Sequence, residues 1–583
     1  MKSYRKLLVG LLAGSLFATS CSEQMNYREA SQYDKAYITE AFSNVMGLMT
    51  TVYRQLDYDF GRDNYYGGIM LSSATDESQY AVPESAIETF WNGSWSAANP
   101  INSMWTNSFK AIDYCNEILD EFQGLKFEDL QYNDSYDKDM YAYENLKWEA
   151  RWARAYFYFN LVRQYGDVPL KTRKMTAEEA NALSRTSAEE IFKFINDECD
   201  AIKDEIIEDY ADLGIYAPAD GSIHNGRPDK LAVLALKARA ALYHASPLFN
   251  PGDNKSLWQA ALKANQELLT YAVNERGMHL AATYDCLWGN KNYEDGEPTA
   301  EIIFTRRVGD LNTLESANYP FGVVGGAGGN CPTQNLVDAY DMQATGLSID
   351  EADSGYDETN PYEGRDPRFY LTIAKNGDTK WPSSNKTALD VTFGGVNGEP
   401  QVGGTPTGYY LKKLLHGSID LSSTSKYKKD KHTWVTYRLA EFYLNYAEAA
   451  LQVTGNGYTV PTGDAATVYT MNAADAINKI RARVDMPNLP TGLDFNTFKA
   501  KYEKERFVEL AFEGHRFWDV RRWKEADKYF TNIIQMKLTK NEDGSISYKR
   551  QTVTRAWDDK MYLFPISQSD RLKNPNLSQN EGW

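Results

Sequence analysis

Six alanines fall within the seventeen residues Asp229–Ala245, at Ala232, Ala235, Ala238, Ala240, Ala241 and Ala245. Small side chains at that density let a helix press closely against its neighbours, as stacked helical pairs require. The stretch Glu144–Tyr165 adds a clear amphipathic stripe. Trp148, Trp152, Ala155, Tyr156, Phe159 and Val162 recur at three and four residues, and Gly166 and Pro169 end the run. Further helices are predicted over residues 33–56, 102–122, 187–206 and 258–269, the fourth of these continuing the alanine-rich pattern. Thr186 or Ser187 would cap the third, with Glu189 and Glu190 in its first turn. Helical periodicity returns over 436–453, 473–484 and 495–528. Between 285 and 435 glycine and proline cluster at 322–332 and 394–408, with short β-like runs at 301–306 and 409–414. The expected fold is mainly α, with irregular loops, short helices and small hairpins laid on a helical scaffold. No strict 34-residue repeat consensus is visible.

The chain has 583 residues, with 80 acidic against 62 basic side chains, a net charge of −18. That balance argues against nucleic acid or an anionic membrane surface as partner, and no nucleic-acid role is expected. The N-terminus carries its own instruction. Lys2, Arg5 and Lys6 precede an apolar or small run from Leu7 to Phe17, then Ala18-Thr19-Ser20 and Cys21. This is the pattern of a secretory leader, too short to span a bilayer. A cysteine directly after the small residues points to a bacterial lipoprotein, with Cys21 acylated and holding the mature chain on a membrane. An ordinary leader with an incidental cysteine is the less favoured alternative. Cys115, Cys199, Cys286 and Cys331 are scattered and read as buried free thiols rather than a metal or redox motif.

The densest charged pattern is Glu503–Trp523, where Glu509, Glu513 and His515 suggest acid–base or metal chemistry. Helical spacing instead places Glu505, Glu509 and Glu513 on one face, with Arg506, Arg516 and Arg521 close enough to neutralise them. Interlocked ion pairs at a helix junction are the preferred reading. The glycine run Gly325–Gly329 lacks the Lys-Ser/Thr of a nucleotide loop, and Asp350–Asp357 lacks calcium-loop spacing. No cofactor, metal or catalytic residue is expected.

The same charged run resembles a signature of the SusD/RagB family of nutrient-binding outer-membrane lipoproteins. Glu149–Tyr158 followed by Tyr165-Gly166-Asp167-Val168-Pro169-Leu170 resembles the family's N-terminal signature. Ala238–Tyr243, Glu301–Phe304, Pro332-Thr333-Gln334, Arg365–Arg368, Arg438–Glu441, Tyr562–Ile566 and Asn574–Trp583 fit in order, with Glu581 where the family usually has proline. The resemblance implies a tetratricopeptide-like scaffold of four helix pairs whose long loops and small hairpins form a ligand cleft. It implies a non-catalytic lid over a SusC-like TonB-dependent transporter in the outer membrane, facing the cell exterior. Its cargo would be oligosaccharide or, in some members, peptide. The expected organisation is a leader at 1–20, a lipidated tether at 21–32, an N-terminal helical-repeat region at 33–275 and a C-terminal region at 276–583, the last two forming one body. A glycoside hydrolase is the rival from another class, although no acid and nucleophile pair can be located. A purely structural lid with little ligand affinity is a third reading.

Sugar binding needs flat rings on loops plus a few polar groups aimed at hydroxyls. Aromatics make up 13% of the chain, and two loop segments supply candidates. In residues 76–99, Tyr80, Trp91 and Trp95 would stack, with Asp76 and Asn92 as polar partners. In residues 318–330, Tyr319 and Phe321 precede the glycine run and Asn330 closes it. Trp288 is a further ring, as fit for packing as for binding, and Trp105 reads as core. For each single aromatic a place in the core is an equally good reading.

Overall fold

The computed structural model describes residues 35–60, 69–101, 104–210, 226–288, 300–462 and 469–583. Cys21 and the leader lie outside the described residues. Among the described residues nine helices carry the scaffold: α1 (Phe42–Tyr53), α2 (Trp105–Glu121), α3 (Tyr136–Tyr165), α4 (Ala188–Ile202), α5 (Lys230–Ala245), α6 (Lys255–Leu269), α7 (Leu439–Thr454), α8 (Ala473–Arg483) and α9 (Phe495–Glu509). Each packs against the next in chain order, so α2 to α9 form four consecutive pairs. The alanines of α5 are buried, and α5 lies against α4, α6 and α7. Its small side chains are what admit neighbours this close. Side-chain caps fix several starts. Ser187 accepts from the Glu190 amide, Asp229 from Ala232, Asn472 from Asp475 and Asp494 from Asn496 and Thr497. Trp105 is the first residue of α2 and buried, as expected of a core ring. The four described cysteines are buried. No helix among the described residues is long and apolar enough to cross a membrane.

The strands form small antiparallel pairs. β1 (Ser78–Tyr80) pairs with β3 (Asn330–Pro332), and β2 (Ile302–Leu311) with β6 (Asp430–Arg438). β4 (Ile373–Ala374) pairs with β5 (Tyr410–Leu411), and β7 (Asn532–Lys540) with β8 (Ile546–Thr554). One hydrophobic core runs through the helices, from Val45 to Leu577. A second, built around Leu336, Phe369, Tyr409 and Leu538, lies under the loops. The C-terminal turn of α9 belongs to the second core through Phe507 and Val508, while Phe498 and Tyr502 of the same helix belong to the first.

Three expectations change. The helix expected from residue 436 begins at Leu439, because Thr433, Val435 and Thr436 are β-branched and complete the ladder with β2. The helix expected over 495–528 stops at Glu509. Phe512 and Gly514 adopt φ of +61° and +75°, and α10 (Arg516–Arg522) starts in a new direction. The β7–β8 hairpin forms where sequence periodicity suggests no element.

Candidate functional site

The acidic run is structural. Arg438 donates to Glu513 through Nε (2.7 Å) and Nη2 (2.8 Å), and through Nη1 to Glu509 (2.6 Å) and Glu301 (2.8 Å). Arg368 adds bonds to Glu509 (2.9 Å), Glu505 (2.7 Å) and Asp366 (2.7 Å), and Arg483 reaches both Glu301 and Glu509. Burial alone would raise the Glu509 carboxyl, but the guanidiniums of Arg483, Arg438 and Arg368 outweigh it and hold the group well below the usual range. Glu513 also accepts from Lys413 (2.7 Å), whose ammonium burial pushes down to about 8 against the pull of Glu513. The neutralising partners are therefore not the adjacent arginines. Arg506 serves Asp519, Arg516 serves Asp76, and Arg521 lies 3.5 Å over the Phe517 ring. Burial and the guanidiniums of Arg239, Arg506, Arg438 and Arg163 keep the His515 imidazole neutral. Among the described residues no cluster of histidine, cysteine or carboxylate could hold a metal ion.

Several predicted binding residues are built into this frame. Trp95 is 4% exposed and meets Phe564, Trp583 and Phe90 edge-on at 4.8, 4.8 and 5.0 Å. It has no face left for a ligand, because the loop carrying it folds over the core rather than outward. Asp76 is buried in a two-pronged bond with Arg516, at 2.9 and 2.7 Å. Asn330 is buried as a clamp: its side-chain oxygen accepts from Met70 N and Ser73 Oγ, and its amide donates to Asn318 Oδ1 (2.8 Å). Tyr319 is buried, its hydroxyl donating to the His416 carbonyl (2.7 Å). These four hold loops in place.

The others keep some surface. Tyr80, opposite Asn330 in the β1–β3 register, is half-buried. Trp91 is half-buried with Arg555 stacked 3.9 Å over its ring. Asn92 is exposed, its side chain closing a turn with the Ser94 amide and hydroxyl. Phe321 is half-buried beside Gly403, where a Cβ would lie 2.7 Å from its ring. The glycine run has a packing reason as well. A Cβ on Gly328 would sit 2.1 Å from the Gly403 carbonyl, and one on Gly329 2.4 Å from Asn318 Oδ1.

Of the nine, Trp288 lines an open cleft. An open cleft of about 360 Å³ runs between Trp288 and Trp381, floored by the segment 412–418 that follows β5 and rimmed by Tyr370. Asp285, Lys412, Ser418 and Asp430 supply polar groups. The floor is fixed from behind, since Lys412 N donates to the Thr372 carbonyl (2.8 Å) at the end of the short helix Pro367–Thr372. Trp381 lies flat over Gly417, where a Cβ would come within 2.4 Å of its ring. Tyr319 packs edge-on to Trp381 at 6.3 Å, so the second predicted segment braces the cleft without lining it. Tyr370, 38% exposed, also borders an adjoining groove of about 540 Å³ lined by Tyr362, Lys375 and Tyr548. Sequence reasoning missed Trp381, Tyr370 and Tyr362. The available signal was Trp381-Pro382 inside the polar stretch Gly377–Asn385, a ring on a loop by the criterion applied to Trp91.

Residues 300–583 match the family described as "SusD family", and residues 27–242 the one described as "Starch-binding associating with outer membrane". A SusD-like protein of Formosa agariphila is 23% identical over 447 residues, covering 73% of this chain and 70% of that protein. Among solved structures, a SusD-like protein from Bacteroides fragilis aligns with a TM-score of 0.73 at 25% identity, covering 94% of this chain and 99% of the other. A SusD-like carbohydrate binding protein from the same organism aligns at 0.71 and 23% identity, covering 93% and 100%.

Proposed function

Because the chain belongs to the SusD family, we propose that it is a non-catalytic glycan receptor, acylated at Cys21 and displayed on the outer membrane, that passes oligosaccharide to a SusC-like TonB-dependent transporter. The observation that carries the ligand class is the pairing of Trp288 and Trp381 across one open cleft. Two indole faces offer stacking to the C–H faces of a sugar, and the polar groups between them offer hydrogen bonds to hydroxyls. Continuation across Tyr370 into the Tyr362–Tyr548 groove favours a chain of several sugar units over a single one. The family description "Starch-binding associating with outer membrane" and a carbohydrate-binding structural neighbour support the same reading. Peptide cargo is the second reading of the family resemblance. The twin tryptophans favour sugar.

The test is affinity electrophoresis of the mature chain against a polysaccharide panel that includes starch and laminarin, with Trp288→Ala and Trp381→Ala alongside. Each substitution removes a stacking platform and should weaken retardation at least tenfold. Retardation unchanged in both variants would rule out this cleft, and release of reducing sugar by the wild-type chain would rule out a non-catalytic receptor.

A further inference from the structure

Beneath the cleft, His416 and His432 stack face to face, with ring centroids 4.2 Å apart and planes 13° from parallel. Both are buried. Each of the four ring nitrogens faces an oxygen that can only accept. His416 Nε2 lies 3.0 Å from the Trp288 carbonyl, and its Nδ1 3.1 Å from the Asp430 carboxylate. His432 Nε2 lies 2.9 Å from the Glu315 carboxylate, and its Nδ1 2.9 Å from the Asp430 carbonyl. A neutral imidazole has one N–H, so two neutral rings satisfy two of these four contacts. One added proton satisfies a third. A second would place two like charges 4.2 Å apart, which the stack opposes.

The pair is wired to both walls of the cleft. His416 meets the Trp288 carbonyl through its ring, its amide donates to Glu315 (3.0 Å), and its carbonyl accepts from the Tyr319 hydroxyl. Tyr319 packs against Trp381, and Gly417, the next residue, lies under the same indole. We propose that this imidazole stack is a proton-dependent clamp: a single proton held between Glu315 and Asp430 keeps Trp288 and Trp381 set across the cleft, and its loss loosens both walls. The charge resides on His432. There burial works against the proton, but the bond and charge of Glu315 and the contacts with Asp430 outweigh it and raise the imidazole above its usual range. Burial and the neighbouring His432 lower His416, with Glu315 and Asp430 opposing. Trp288 has a further cation on its ring, Lys413 Nζ at 4.3 Å, which Glu513 holds from the other side. Loss of the His432 proton leaves that contact in place and acts on the walls through Glu315, whose Oε1 accepts from both His432 Nε2 and the His416 amide.

The sign follows from the raised group. Its stabilising contribution is complete below about pH 6.5, the ordinary histidine midpoint, and disappears as pH rises through the higher folded value. The test needs no glycan, so its failure is separate from failure of the receptor reading. In the full mature chain, imidazole Cε1 resonances are titrated from pH 5 to 9 and assigned with His416→Asn and His432→Asn. His432 should titrate above the ordinary midpoint, and Glu315→Gln should lower that midpoint by at least one pH unit. Amide exchange at residues 284–288 and 412–418, corrected for intrinsic rates, should lose at least tenfold protection between pH 6 and 9, and should lose none in His432→Gln. A wild-type His432 midpoint at or below the ordinary value would overturn the proton assignment. Equal protection at both pH values would overturn the link to the cleft walls.

Discussion

At the residue scale, the same side chain means different things according to which way its loop turns. Trp95 and Trp288 both sit in irregular segments, yet one is sealed by Phe90, Phe564 and Trp583 while the other lines an open cleft. Trp95→Ala should therefore destabilise the fold by about 3–5 kcal/mol, as large-to-small changes in cores do, and leave glycan retardation of the folded fraction unchanged. Urea unfolding with a midpoint equal to wild type would contradict this. Glu77 offers a pH-resolved case. Burial pushes its carboxyl up to about 8; the Phe512 amide (2.8 Å), Lys413 and Arg516 oppose that rise, and Asp76 adds to it. A group raised in the folded state costs nothing near pH 4, where it is protonated folded and unfolded alike. The penalty grows as pH passes from about 4.3 to 8 and is complete above that. Glu77→Gln keeps an acceptor for the Phe512 amide without the charge. Its thermal midpoint should exceed wild type at pH 8.5 and match it near pH 4. A constant difference across that range would show that Glu77 does not titrate between the two states.

At the scale of elements, close approach decides more than propensity. The alanines of α5 predict a packed helix because a small side chain acts locally and in any context, and the helix forms over Lys230–Ala245. The β6 strand misleads a periodicity reading because its partner, β2, lies more than a hundred residues earlier, where no local window can see it. The same holds for Gly328, which the Gly403 carbonyl, 75 residues later, presses against. Gly328→Ala combines φ of +88° with a Cβ 2.1 Å from a backbone oxygen, so relief requires one of the two loops to move. A loss of about 1–3 kcal/mol is expected from crowding alone. The check is chemical denaturation, where an unchanged midpoint would mean the two loops separate without cost.

At the scale of the whole molecule, the helical ladder carries one hydrophobic core and the loops cover a second. The buried network around Arg438 and Glu509 joins strand β6, helix α9 and, through Lys413, the floor of the cleft. In the proposed receptor, membrane attachment rests on Cys21. Cys21→Ala should release the chain from the membrane fraction while leaving its unfolding midpoint within about 0.5 kcal/mol of wild type. Retention in membranes after that change would remove the acyl anchor. What the residues alone determined was whatever acts over short range: the helices and their caps, and the carboxylate face of α9 as an ion-pair site. What only the tertiary structure decided was which rings face outward and which guanidiniums meet Glu509 and Glu513. Burial and pairing between residues far apart in the chain are products of the packed fold. A tryptophan is equally suited to a core and to a sugar until its neighbours are in place.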